Sequence, residues 1–222
     1  MSSAEYRKHA ADYCRPHTGI LAVVFLINTL IVGAIDYGFS QILVVKVGEN
    51  FKISYGSPIG GILTLWLGAV LGMGMIHIIK KMVENGEEPK VEDLFGCFKD
   101  SLNLFVLNLL ETVFIFLWML LFIIPGIVKA LSYSMAFYIH DDNPSLSALE
   151  CIDESKKLMK GHRMDLFLLI LSYFGWFILC LLTFGILFLF VGPKYQTAHY
   201  LFYRNLVGVP ALAEGNAEES AQ

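Results

Sequence analysis

Apolar residues in this chain come in long unbroken runs rather than in the alternation of a strand or the one-sided stripe of a soluble helix. Polar residues gather in short segments between the runs. The stretch SKKLMKGHRMDLFLLILSYFGW, from Ser155 to Trp176, shows the border at its sharpest: a basic run meets a wall of Leu, Ile, Phe and Trp at Met164. Apolar runs of about 18 residues or more are long enough to cross a hydrocarbon layer ~30 Å thick as helices. The pattern predicts an all-α polytopic membrane helix bundle with six transmembrane helices, at residues 18–35, 58–79, 102–124, 126–140, 164–182 and 185–205. Residues 1–206 then form one integral membrane domain, and 207–222, with Glu214, Glu218 and Glu219, form a disordered cytoplasmic tail.

The fourth run is short, and the turns around Pro125-Gly126 and Thr183-Phe184-Gly185 contain almost nothing polar. A turn without charge gains little from water. The spans are therefore expected to pair as three hairpins, with Pro125 starting a helix and Gly185 permitting a reversal. Lys and Arg set the orientation. Eleven of them (Arg7, Lys8, Arg15, Lys80, Lys81, Lys90, Lys99, Lys156, Lys157, Lys160 and Arg163) flank one side, against Lys46 and Lys52 on the other. This bias puts both termini in the cytoplasm and the segment 36–57 outside, in a cytoplasmic (cell) membrane.

Before the third and fifth spans, stretches opening at Pro89 and Pro144 carry apolar residues at helical spacing: Val91, Leu94, Phe95 and Phe98, then Leu146, Leu149, Ile152 and Leu158. They are expected to be amphipathic helices on the cytoplasmic interface, with Lys156, Lys157, Lys160 and Arg163 on anionic headgroups and Gly161 turning the chain into the bilayer. Three hairpins with such entries are consistent either with an ancestral repeat or with one physical solution used three times.

Composition supports the lipid setting: 56% of the 222 residues are hydrophobic and 16% charged, with a mean hydropathy of +0.61. The net charge of −4 argues against nucleic acid as a partner, because a surface that binds its phosphate backbone needs excess Lys and Arg to displace counterions. Val32-Gly33-Ala34 resembles a signal cleavage site, but the 17 residues before the run include Glu5 and Asp12, so the first span is expected to stay. Cys14, Cys97, Cys151 and Cys180 show neither a CxxC pair nor zinc spacing, and are read as reduced structural thiols.

The segment from Pro125 to Leu206 resembles a bacterial and archaeal integral membrane family known as domain of unknown function 975. The resemblance is carried by Pro125-Gly126, Tyr138, Ser155 with Leu158-Met159-Lys160-Gly161, Leu166-Phe167, Leu171-Ser172, Phe174-Gly175-Trp176, Leu182-Thr183, Gly185-Ile186, Pro193, Ala198 and Phe202-Tyr203. Gly86-Glu87-Glu88-Pro89 with Asp93-Leu94-Phe95 looks like the family's middle segment. Lys194 departs from the aromatic usual after this proline. The resemblance implies a multi-pass membrane protein and brings no activity or cofactor with it.

Ionisable groups within spans are costly and so are candidate sites. Glu111 lies roughly 13 Å into the third span at 1.5 Å per residue, with Asn108 one turn before it and Lys194 at similar depth in the sixth. Glu111, Asn108 and Lys194 form the candidate midplane polar site, either a proton or ion site or a structural ion pair joining two hairpins. Lys129, near a helix end, is expected to snorkel. Gly61, Gly68 and Gly72 form a stripe on the second span that invites close helix packing, within the chain or between copies. His17, His77, His140, His162 and His199, near Asp141 and Asp142, match no metal-ligand spacing, and no metal or cofactor is expected. GxSxG, phosphate-cradling and HExxH patterns are missing from the sequence. The reading is therefore a non-enzymatic envelope accessory, scaffold or lipid-handling protein, with membrane lipid and other membrane proteins as partners. The alternative is a small transporter or permease using the Glu/Lys site, and an intramembrane enzyme ranks third.

Overall fold

The computed structural model describes residues 2–40, 44–46, 52–54, 58–183 and 185–208. The element order is α1 (Ser3–Cys14), α2 (Thr18–Ser40), β1 (Val44–Lys46), β2 (Lys52–Ser54), α3 (Pro58–Glu84), a 3-10 segment (Val91–Asp100), α4 (Ser101–Leu121), α5 (Ile123–Tyr133), α6 (Ala136–Asp142), α7 (Ala148–Leu158), α8 (Arg163–Leu182) and α9 (Phe188–Val207). The two strands form an antiparallel hairpin with Val44 opposite Ser54 and Lys46 opposite Lys52, inside the segment expected to be external. The expected tail lies outside the described residues from 209 onward. Residues 207 and 208 end α9, with Gly208 capping it in the left-handed region at φ 80°.

Among the described residues four helices are long and apolar enough to cross a membrane: Thr18–Ile35, Gly60–Glu84, Val91–Leu121 and Arg163–Leu182. Apart from the short hairpin the regular structure of the described residues is helical, with the length and apolar composition that suit a membrane. Half of the apolar window of α3 is buried, against 17%, 11% and 22% for the other three. It is the axis on which the rest packs, while α2, α4 and α8 turn apolar side chains such as Leu30, Phe116, Leu120, Phe174 and Leu181 outward.

The other two expected spans are built differently. The run 126–140 divides into α5 and α6 at Ser134-Met135, leaving eleven residues in α5. Within α9 lie Lys194, Gln196, His199, Arg204 and Asn205, too many polar groups for an apolar crossing of the same kind. Pro125 falls in the first turn of α5, where its missing N–H costs no helical bond. Gly161 and Gly185 adopt φ of 95° and 84°, so both expected turns use the freedom of glycine.

Both expected interfacial segments are helical, and protein covers part of each apolar face while Phe95 and Leu149 stay exposed. Leu94 is fully buried on α3, and Phe98 packs edge-on against Trp66 at 6.0 Å. On α7, Cys151, Ile152 and Ser155 are buried against the bundle. The N-terminal helix α1 is also docked. Tyr6 meets Phe202 at 5.6 Å and its hydroxyl accepts from Asn205 Nδ2 at 2.7 Å, while Cys14 Sγ lies 3.4 Å from Thr197 Oγ1, so α1 runs antiparallel along the second half of α9.

Candidate functional site

Residues of α3, α4, α6 and α9 line an open cavity of about 280 Å³ that carries several polar groups. Gly68, Gly72 and Ile76 form one wall; Asn108, Ser134, Tyr138, Gln196 and His199 supply the polar groups. Asn108 Nδ2 donates to the Leu65 carbonyl at 2.9 Å, and the Tyr138 hydroxyl and His199 Nδ1 share a hydrogen bond at 2.9 Å. The Gln196 Oε1 is buried without a partner.

The break between α5 and α6 helps to shape this cavity. A helix broken in an apolar setting leaves backbone groups that must find other partners. Ser155, from α7, supplies them: its hydroxyl donates to the Ser132 carbonyl at 2.8 Å and accepts from Met135 N–H at 3.2 Å. Ser134 Oγ folds back onto the Leu131 carbonyl at 2.9 Å.

Of the three residues expected at midplane, only Asn108 lines this cavity. Glu111 and Lys194 form no ion pair, and Glu111 has neither an ion-pair nor a hydrogen-bond partner among the described residues. Lys194 instead opens into a second cavity, between α1, α8 and α9, that it shares with Arg7 and Lys8. Equal depth is an expectation from residue counts alone, and depth does not fix the direction in which a helix faces. Lys129 lies 4.5 Å over the Trp118 ring as a cation–π contact.

The glycine stripe is likewise reassigned. A Cβ added at Gly61, Gly68 or Gly72 would meet nothing within 4 Å, so these glycines do not bring another backbone close. Gly68 and Gly72 border the polar cavity. The close approach on α3 is at Gly74, where a Cβ would lie within 3 Å of the Leu94 backbone; Gly126 and Gly192 play this part against Met119 and Phe25.

A polar junction that the sequence reading missed ties α3, α6 and α9 together. Lys80 Nζ lies 2.9 Å from Asp141 Oδ2 and 2.6 Å from Asp142 Oδ1, and Tyr203 donates to Asp142 Oδ2 at 2.6 Å. Arg204 reaches Glu84 at 2.7 Å, and Tyr200 donates to the same carboxylate at 2.5 Å. Tyr138 stacks on Tyr203 at 5.3 Å, joining the junction to the cavity. The nearest signal in the sequence is the Tyr200, Tyr203, Arg204 spacing, which places three polar tips along one side of α9.

Between α5 and α8 runs an apolar groove of about 400 Å³, lined by Ile124, Ile127, Val128, Leu131, Met164 and Phe167 and joined by Arg163, whose Nε is buried without a partner. The other expected headgroup residues behave differently. Lys156 pairs with Asp153 and Lys157 with Glu154, each at 2.7 Å within α7, and Lys160 is exposed in the following turn. On the same helix the Ser147 hydroxyl and N–H hold the Glu150 carboxyl below its usual range, while burial pushes the Cys151 thiol up.

Histidines are dispersed: His77 lies 3.4 Å from Asp141, His162 3.2 Å from Asp165, and His140 3.9 Å from Cys151. Among the described residues no group of three or more His, Cys, Asp or Glu is placed to hold a metal ion. All four cysteines are free thiols.

Residues 123–209 match the profile of a family described as Protein of unknown function (DUF975), the family that the sequence resembles. No curated protein and no solved structure matches the chain. The matched stretch contains α5 to α9, and with them one wall of the polar cavity, both sides of the apolar groove and Lys194.

Proposed function

We propose that this is a non-enzymatic protein of the cytoplasmic membrane that holds a phospholipid or similar anionic amphiphile along the α5–α8 groove. The observation that carries the reading is the groove itself: apolar along its length, with the unpartnered buried Nε of Arg163 beside it. An acyl chain fits the first property, and a phosphate oxygen answers the second through a charge-assisted hydrogen bond. Lys160, exposed in the turn before Arg163, adds a second cation for the headgroup. In this reading both termini face the cytoplasm, following the Lys and Arg distribution, and α5–α6 and α9 complete the six-membered bundle as shorter or more polar membrane helices.

The test is lipid retained through purification. Wild-type protein should carry phospholipid visible by native mass spectrometry, and Arg163→Gln or the groove-filling Val128→Trp should each lose most of it while keeping their helix content. Equal lipid retention by both variants and wild type would sink the reading. Orientation is tested separately, by an impermeant thiol reagent that should reach a cysteine placed at Lys46 from outside and miss one at Lys157.

A second reading, a small transporter, is favoured by the polar cavity, where Asn108, Gln196 and the Tyr138–His199 pair face a space bounded by Gly68 and Gly72. Cysteines placed at Gly72 and Ser134, in a chain lacking the native four, would have to react with a soluble thiol reagent from both sides of the membrane for this reading to move ahead.

A further inference from the structure

The cavity that receives Lys194 is independent of the groove. It measures about 380 Å³ and is lined by Ala4, Arg7, Lys8 and Ala11 of α1, Tyr173 and Trp176 of α8, and Val191 and Lys194 of α9. Three of these eight residues are cations and none is an acid. The carboxylates of α1 and of the first turn of α8 are engaged elsewhere: Glu5 accepts from Ser2 N–H at 2.6 Å, Asp12 pairs with Arg15 at 3.4 Å, and Asp165 lies 3.2 Å from His162.

Arg7 is positioned rather than free. Its Nη1 donates to the Ser172 carbonyl at 2.9 Å, which fixes the guanidinium against α8, yet its Nε is buried with no partner. The Tyr173 hydroxyl is occupied, donating to the Lys194 carbonyl at 3.3 Å. The charge that remains open to the cavity is therefore positive, with no carboxylate in its lining. Ala4 and Ala11 leave room that longer side chains would fill, and Val191 and Trp176 give it apolar sides.

Like charges gathered at a partly desolvated cavity repel each other unless an anion joins them. We infer that this cavity binds a phosphate-type oxyanion, bridging α1 to α8 and α9 through Arg7, Lys8 and Lys194. A planar guanidinium beside two ammonium groups suits tetrahedral oxygens. The apolar sides suit a phosphate carried on a larger molecule, either a lipid headgroup or a soluble phosphate compound. Because α1 supplies two of the three cations, an occupied site also fastens the N-terminal helix to the bundle.

The experiment uses the full chain in two settings: lipid-free detergent with inorganic phosphate added, and nanodiscs of phosphatidylcholine with or without phosphatidylglycerol. Thermal unfolding and native mass spectrometry read binding. Stabilisation by inorganic phosphate in detergent assigns the site to a soluble phosphate; stabilisation and retained adducts with phosphatidylglycerol alone assign it to a headgroup. In either case Lys8→Gln and Lys194→Gln should each weaken binding about tenfold or more, the scale of a lost hydrogen bond to a charged group, and Lys157→Gln should not. These two variants leave the Arg7–Ser172 bond intact, so they report on the anion even if Arg7→Gln loosens α1. Arg163→Gln should leave this site unaffected, which separates its failure from failure of the groove. No stabilisation by either probe, or unchanged binding in both lysine variants, overturns the inference.

Discussion

Two regions of this molecule use the same chemistry, Lys or Arg against Asp or Glu, to different ends. On α7 the pairs are Lys156 with Asp153 and Lys157 with Glu154, three residues apart, exposed and within one helix. At the α3–α6–α9 junction Lys80 faces Asp141 and Asp142, and Arg204 faces Glu84, with the lysine and arginine side chains only 21% and 18% exposed. Pairs of the first kind join what the helix already joins. The second kind join elements far apart in sequence, and their partly desolvated charges have no cheap alternative partner. The density of charge along a sequence is thus a poor guide to where charge fastens a membrane protein.

The largest effect that would sharpen this contrast is at Lys80. Lys80→Met leaves Asp141 with His77 and Asp142 with the Tyr203 hydroxyl but no lysine between the two carboxylates, and should cost about 3 kcal/mol, the lower end of the range for breaking a buried pair because the site is still partly wet. Adding Asp142→Asn should recover part of the loss, since an amide oxygen can still accept from Tyr203. Unfolding in detergent checks both. If Lys80→Met costs no more than Lys156→Gln, the distinction between the regions fails.

A smaller effect tests the packing that holds the junction on α3. Gly74→Ala drives a methyl into the Leu94 backbone and should destabilise by about 2 kcal/mol, within the range for overpacking. Gly68→Ala, on the cavity side of the same helix, should be neutral or stabilising, because the added methyl meets open space and alanine is the better helix former. A reversed order of the two melting temperatures would return Gly68 to the packing role its motif suggests.

These cases show what the sequence makes legible. The apolar runs announce four helices with nearly correct limits, because hydrocarbon thickness constrains composition directly. The turns at Gly161 and Gly185 are legible for a similar local reason. Lateral relations are not. Counting residues gives Glu111 and Lys194 similar expected depths, yet they form no ion pair and Lys194 opens toward Arg7 and Lys8, and Gly68-x-x-x-Gly72 has the right spacing yet faces a cavity. The division at Ser134-Met135 depends on Ser155, twenty residues away, giving its hydroxyl to the freed backbone. The resemblance to the family is legible from Pro125 to Leu206, inside the profile match at residues 123–209.

The smallest effects belong to α7. Lys157→Gln should leave the unfolding midpoint in detergent within measurement error, since its pair is exposed and local, and Lys156→Gln should cost only about 0.5–1 kcal/mol more, the scale of its cation–π contact over the Tyr133 ring at 5.5 Å. The start of the helix is a finer probe. Glu150 accepts from Ser147 N–H at 2.8 Å and from Ser147 Oγ at 2.7 Å, and these bonds hold its folded pKa below the usual carboxylate value. A depressed folded pKa means that the stabilisation is complete above the unfolded value and is lost as pH falls through the folded one. Amide exchange in the first turn of α7 should therefore be insensitive to pH near neutrality and lose protection only below the ordinary carboxylate range. Glu150→Gln should remove that acid dependence while keeping an acceptor, and Ser147→Ala should lower protection by about 1 kcal/mol at any pH where the cap forms. Loss of protection centred near neutral pH would mean that a different group controls this helix end, and the local account of α7 would give way to one that couples it to the junction.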